Sequence, residues 1–493
     1  MTENEIRLRY TGFIIFAAKI LSVATGLIFQ LMIARATTKL EYGVWFNIND
    51  VSTYFTLLVG VLPFWILRFA ARGREGAIKT GILANLMVSI IVTVIYLILL
   101  VPITSVLGIS EKYLPLYFLT AIQIMEAYSI NALEAGLRAK IPHVIGYGLL
   151  IEECCKVVLG YVLIIVFQRP LLGAKLSLIV AFIIQTLYYV KLLTEEFKQR
   201  VNWAYAREWL KGSIVNIYSV VGGQIVAFVF ILLFSYGGEG ARSNNGGAGQ
   251  IASVVTYSSS LAFALYPKLL ANRKPEDITT SFKTVLMFAI PMTVGVIALS
   301  DSYVIIINDI YRDAWPILIV LAINAFLGTV SDLFGSILFG VEQVDEHAKI
   351  SFRGLVKSRL FIVFSLPYLQ SAIVLPAAYY VLTANVQNTS VQAAIRISLI
   401  LTLTNLVTFL IRYVIARKML TFAIPWRNIM KYIFASLLMA TAFYLLPHPT
   451  RILFTLGMTV IGGIIYFISI MAIDKEARKL VLTIWKEIKR KAS

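Results

Sequence analysis

The stretch GYGLLIEECCKVVLGYVLIIVF, residues 146–167, sets two carboxylates and an ammonium, Glu152, Glu153 and Lys156, inside an otherwise apolar run. Glu152 and Lys156 stand four residues apart, share one helix face and can pair. Glu153 points about 100° away and is left without that partner. A charge at the centre of a bilayer costs at least ~2.5–3.5 kcal/mol on insertion scales, so such groups face a wet cavity or one another. Two readings of the trio follow: an ion pair clamping this helix to its neighbours, or the lining of a hydrated seam. Glu153, lacking a partner on its own helix, favours the seam.

Further ionisable residues interrupt apolar runs. Lys19, in FIIFAAKILSVATG, has no acid at i±3 or i±4, so its compensation must come from another helix, water or a ligand. Asp50, in FNINDVSTYF, shares its run with Asn47, Asn49, Ser52 and Thr53, a polar face suited to a cavity wall. Glu126 and Asp332 sit inside later runs, where each is a candidate for Na⁺ or H⁺ binding or for interhelix hydrogen bonding. The cysteines, Cys154 and Cys155, are adjacent, which suits neither a disulfide framework nor a zinc site, and three histidines are too few and scattered for one. GREGAIKT (73–80) nearly spells a phosphate-binding loop, but Ile78 stands where the glycine before the lysine is required. ATP hydrolysis by this chain is therefore not expected, nor is any cofactor.

The elements that position these groups are helices in a bilayer. Of 493 residues 59% are hydrophobic and 14% charged, with a mean hydropathy of +0.82; soluble domains run near ~45–50% and ~25%. Fourteen apolar runs approach the ~20 residues that span hydrocarbon: 10–34, 43–67, 80–102, 114–136, 143–167, 171–193, 213–236, 250–268, 284–307, 315–339, 357–382, 391–416, 430–446 and 452–473. No alternating ~10-residue strands of a barrel appear. The expected fold is an all-α polytopic membrane protein, and the first span carries no cleavage site that would make it a signal peptide. Placing both termini in the cytosol puts most of the 44 Lys and Arg on the inner side, which accounts for the net charge of +18 without nucleic acid. The expected location is the cytoplasmic membrane. Outer connections are short. The longest is the Gly-rich GGEGARSNNGGAG (237–249), and another carries a glycosylation sequon at Asn388.

Sliding the chain by 204 residues superposes Pro63 on Pro267, Lys79-Thr80 on Lys283-Thr284 and Gly136 on Gly340. Six spans per copy enter the membrane in the same sense, a parallel repeat with a site expected between lobes. The expected division is a first six-helix lobe at 1–194, a cytosolic linker at 195–212, a second lobe at 213–416, an extra hairpin at 417–473 and a basic tail at 474–493. Linker and tail read either as amphipathic helices in the headgroup layer or as solvated segments. Pro63 and Pro267 would kink paired helices, either as gates or as fixed packing bends.

Twelve duplicated spans plus two resembles the lipid-flippase branch of the multidrug/oligosaccharidyl-lipid/polysaccharide (MOP) exporter superfamily. GLIFQLMIARATTKLEYGVWFNIND looks like that family's opening, with Arg35 ending the first helix and Tyr42-Gly43 starting the second; the second half has no equivalent arginine in its Gly-rich stretch. The resemblance implies alternating-access transport of a polyprenyl-(pyro)phosphate-linked oligosaccharide to the outer leaflet. The final hairpin would help form a groove for the lipid tail, and drug-exporting relatives usually stop at twelve spans. Basic residues for the headgroup would be Lys19, Arg35, Arg68 and Lys268, of which Arg68 and Lys268 also read as snorkelling anchors. Lys357, which the 204-residue shift sets against Glu153, joins them as a basic counterpart, with Arg353 and Arg359 beside it. Asp50, Glu126, Glu152, Glu153, Lys156 and Asp332 would line the cavity or bind a coupling Na⁺ or H⁺. Expected partners are the glycan lipid and membrane lipids, with the protein a monomer and not an enzyme. The rival readings are a drug/cation antiporter of the same superfamily and an integral-membrane glycosyltransferase or polymerase, which would need a large catalytic loop.

Overall fold

A computed structural model of the chain describes residues 21–22, 25–71, 73–141, 143–262, 275–341, 359–384, 389–475 and 477–478. Among the described residues every regular element is helical, and each of the fourteen apolar runs overlaps one or more helices. Nine of these helices are long and apolar enough to cross a membrane, and Thr25–Ala36 and Val61–Ala70 are shorter apolar ones. Many large apolar side chains face outward as well as into the core: Ile91 and Ile98 are 60% and 68% exposed, Leu453 83%. Water would not tolerate such a surface, whereas lipid requires it. The protein is a multi-pass membrane protein.

The chain divides into two compact units, Met1–Ser243 and Asn244–Ser493. The first holds α1 (Thr25–Ala36), α2 (Lys39–Phe55), α3 (Val61–Ala71), α4 (Ala77–Val106), α5 (Leu114–Lys140), α6 (Val144–Gly160), α7 (Pro170–Leu192), α8 (Trp203–Gly212) and α9 (Ile214–Gly237), and α10 (Glu239–Ala252) begins within it. Local sequence sets several starts. Thr38 and Glu41 cap α2 reciprocally, side chain to backbone in both directions. Pro115 and Pro170 occupy the first turns of α5 and α7, where no amide donor is needed.

Two expectations need correction here. The run 43–67 is not one helix: α2 ends at Phe55, a turn follows, and Pro63 falls in the first turn of α3. In that position proline starts a helix instead of kinking one, so the bend lies in the 56–60 break. The Gly-rich 237–249 is not an outer loop. It forms most of α10, with Ala241, Ser243, Asn244 and Ala248 at most 1% exposed. Composition suggested a turn, but small residues also let helices approach closely. Gly43 shows the result: a Cβ there would stand 2.1 Å from the Glu239 carbonyl oxygen, which gives the Tyr42-Gly43 pair a steric reason. After Ala252 the chain tightens into a 3-10 stretch, Ser253–Ala262; the rest of the eighth run, with Lys268 and Pro267, lies outside the described residues.

The segment following α7 is fastened to the first unit. Gly76, at φ +71°, donates its N–H to Gln199 Oε1 at 2.6 Å, and its missing Cβ leaves room for the Arg200 carbonyl. The Asn202 N–H reaches Thr80 Oγ1 at 2.9 Å, and Lys140 pairs with Glu196 at 2.8 Å. Trp209 of α8 is fully buried against Phe69 and Tyr205.

The second unit contains α11 (Pro275–Ala298), α12 (Ser300–Ile307), α13 (Trp315–Val341), α14 (Arg359–Ala384), α15 (Ser390–Met419), α16 (Trp426–Leu445) and α17 (Ile452–Ile473). Phe282, Phe334, Phe409, Tyr413 and Phe422 form its aromatic centre. The final hairpin is part of this core: Tyr432, Met439, Phe443, Tyr466 and Ile470 pack into it. The Tyr466 hydroxyl donates to the Met287 carbonyl at 2.6 Å, and buried Asp474 takes Asn428 Nδ2 at 3.0 Å and Lys431 Nζ at 3.1 Å.

Candidate functional site

The trio on α6 is fully engaged. Lys156 Nζ lies 3.2 Å from Glu152 Oε1 and 2.8 Å from Glu153 Oε2. Glu153 also accepts from Ser22 Oγ at 2.8 Å and Thr25 Oγ1 at 2.5 Å, and all three charged residues are at most 8% exposed. The expectation that Glu153 lacks a partner is therefore corrected: positions i and i+3 are neighbours on a helix as i and i+4 are, so one ammonium serves both acids. The cluster fastens the α1 segment to α6.

Asp50 on α2 is claimed by a residue that sequence reading placed in a loop. Arg242 of α10 donates through Nε to Oδ2 at 2.5 Å and through Nη2 to Oδ1 at 2.8 Å. Its guanidinium, 6% exposed, lies between the rings of Phe46 and Phe230 at 4.8 and 4.9 Å. Two neighbouring polar residues also take interhelix bonds: Tyr117 donates to Asn47 Oδ1 at 2.5 Å, and Gln224 Nε2 donates to Thr53 Oγ1 at 2.5 Å. The polar face expected on the second helix exists and is partly occupied by interhelix bonds, while Asn47 Nδ2 is buried without a hydrogen-bond partner among the described residues.

Glu126 on α5 is buried with neither carboxylate oxygen hydrogen-bonded. Lys175 on α7, 1% exposed, is the charge that acts on it, although no ion pair joins them. Lys175 escaped the sequence reading; its signal was a lone ammonium in LLGAKLSLIV, as diagnostic as Lys19. Arg35 ends α1 exposed, and Arg68 lies half-buried over the Phe64 ring at 4.5 Å. Lys19 and Lys357 lie outside the described residues, as does Arg353.

In the second unit, Asp332 opens onto a polar cavity of about 170 Å³ between α13, α14 and α15. Ser331, Gln370, Asn405, Thr408 and Arg412 share its wall. Gln370 Nε2 donates to Asn405 Oδ1 and Asn405 Nδ2 to Asn324 Oδ1, both at 2.6 Å; Arg412 Nη1 donates to Ser331 Oγ at 3.1 Å. A larger apolar cavity of about 420 Å³ runs along the final hairpin, lined by Met287, Pro291, Tyr303, Met439, Phe443 and Tyr466 among others. Among the described residues no group of three or more His, Cys, Asp or Glu could hold a metal ion.

This architecture is the fold of MOP-superfamily transporters, flippases and multidrug exporters alike. The chain is similar to a solved structure of the lipid II flippase MurJ in an inward closed conformation, at TM-score 0.68 and 14% identity, covering 95% of this chain and 100% of that one. An inward-facing multidrug resistance MATE transporter gives TM-score 0.58 at 15% identity, covering 81% and 95%. A MOP-superfamily transporter from Pyrococcus furiosus gives 0.50 at 13%, covering 84% and 94%. No protein-family model and no curated protein sequence matches the chain.

Proposed function

We propose that the protein is a flippase that carries a polyprenyl-(pyro)phosphate-linked oligosaccharide across the cytoplasmic membrane by alternating access, driven by an ion gradient or the membrane potential. The carrying observation is the final hairpin. It packs into the second unit's core and borders an apolar cavity of about 420 Å³, suited to a lipid tail. The shares of chain matched agree: the flippase structure covers 95% of this chain, the multidrug transporter 81%. In this reading Lys19, Arg35, Arg68, Lys268 and Lys357 bind the headgroup, and both termini are cytosolic.

Mass spectrometry of lipid bound to the purified protein tests the assignment. The expected species is a polyprenyl phosphate or pyrophosphate bearing a finished glycan, and cells lacking the protein should accumulate that lipid facing the cytosol. Efflux of small organic cations with no such lipid would support the antiporter, and accumulation of an unfinished glycan would support a glycosyltransferase.

A further inference from the structure

The wall of the Asp332 cavity has the composition of a site for a hard monovalent cation: one carboxylate with hydroxyl and amide oxygens from Ser331, Gln370, Asn405 and Thr408. Space for an ion exists. A Cβ on Gly328 would meet nothing within 4 Å. Pro367, inside α14, leaves the Val363 carbonyl without its helical donor. Yet the wall also carries a guanidinium. Arg412 is the charge that acts on Asp332, and Asp332 the charge that acts on Arg412. No ion pair joins them, and the buried Nε of Arg412 has no hydrogen-bond partner. The two charges border one void without closing on each other.

We propose that Arg412 is a tethered counter-cation that keeps monovalent metal ions out of the Asp332 cavity, and that cancelling its charge converts the cavity into a sodium site. With both residues ionised the wall is neutral, so an entering Na⁺ gains the carboxylate but meets a fixed positive charge. At about 5 Å and an effective dielectric near ~20, that repulsion weakens binding by roughly two orders of magnitude. On this proposal Na⁺ does not couple at Asp332 in the native chain, and the cavity's ~170 Å³ has room for about five water molecules.

The test is thermal unfolding of the purified full chain in NaCl against choline chloride at equal ionic strength. Wild type should show no sodium-specific stabilisation. Arg412→Gln should acquire a saturable rise in Tm with Na⁺, and adding Asp332→Asn should abolish it. Asn405→Asp, which leaves Arg412 in place but offsets its charge, should also gain a sodium response and serves if Arg412→Gln does not fold. Sodium stabilisation of wild type that Asp332→Asn removes would overturn the proposal, as would folded variants indifferent to Na⁺. The readout is ion-dependent stability and not transport, so this inference and the flippase reading can fail separately.

Discussion

Asp50 and Arg242 in the first unit meet through two hydrogen bonds of 2.5 and 2.8 Å. Asp332 and Arg412 in the second unit instead border a cavity of about 170 Å³ with no ion pair between them. The chemistry of the two pairs is the same, but their surroundings differ. Aromatic rings on both sides of Arg242 exclude water and favour closure onto the carboxylate. Around Arg412 the neighbours are hydroxyls and amides that can solvate separated charges. A charge buried in a membrane protein therefore does not by itself mark a working site. Contact geometry separates a closed fastener from an open, solvated pair.

The largest effect should come from breaking the closed pair. Arg242→Ala leaves a mostly buried carboxylate without its partner and should cost about 3 kcal/mol of unfolding free energy. Asp50→Asn in that background should restore part of it, as a double-mutant cycle in detergent would show. Lys156→Met, which strips one ammonium from two acids, should cost about 3 kcal/mol. Gly43→Ala forces α2 away from the Glu239 backbone and should cost about 1–3 kcal/mol by overpacking. Asp332→Asn should fall within about 0.5 kcal/mol of wild type. An Asp332→Asn loss as large as that of Arg242→Ala would erase the contrast between the units.

The helical membrane fold was legible because its helices lie in apolar runs long enough to register in composition alone. What escaped was non-local. Arg242 lies 192 residues from Asp50, and Ser22 and Thr25 lie 131 and 128 residues from Glu153; nothing in a linear pattern announces such partners. The break at 56–60 was hidden because its residues, TLLVG, are as apolar as a helix interior. The Gly-rich stretch misled for the opposite reason: the residues that make turns cheap in water also make helices pack closely in lipid.

Translocation in proteoliposomes addresses the central claim most directly. A polyprenyl pyrophosphate-linked oligosaccharide placed in one leaflet should appear in the other when the protein and a membrane potential or ion gradient are present. Gly463→Phe, which fills the apolar groove at a position with no atom within 4 Å of the added Cβ, should slow that movement several-fold while leaving the fold intact. Glycan lipid that stays in its leaflet, while the same vesicles export small organic cations, would contradict the account.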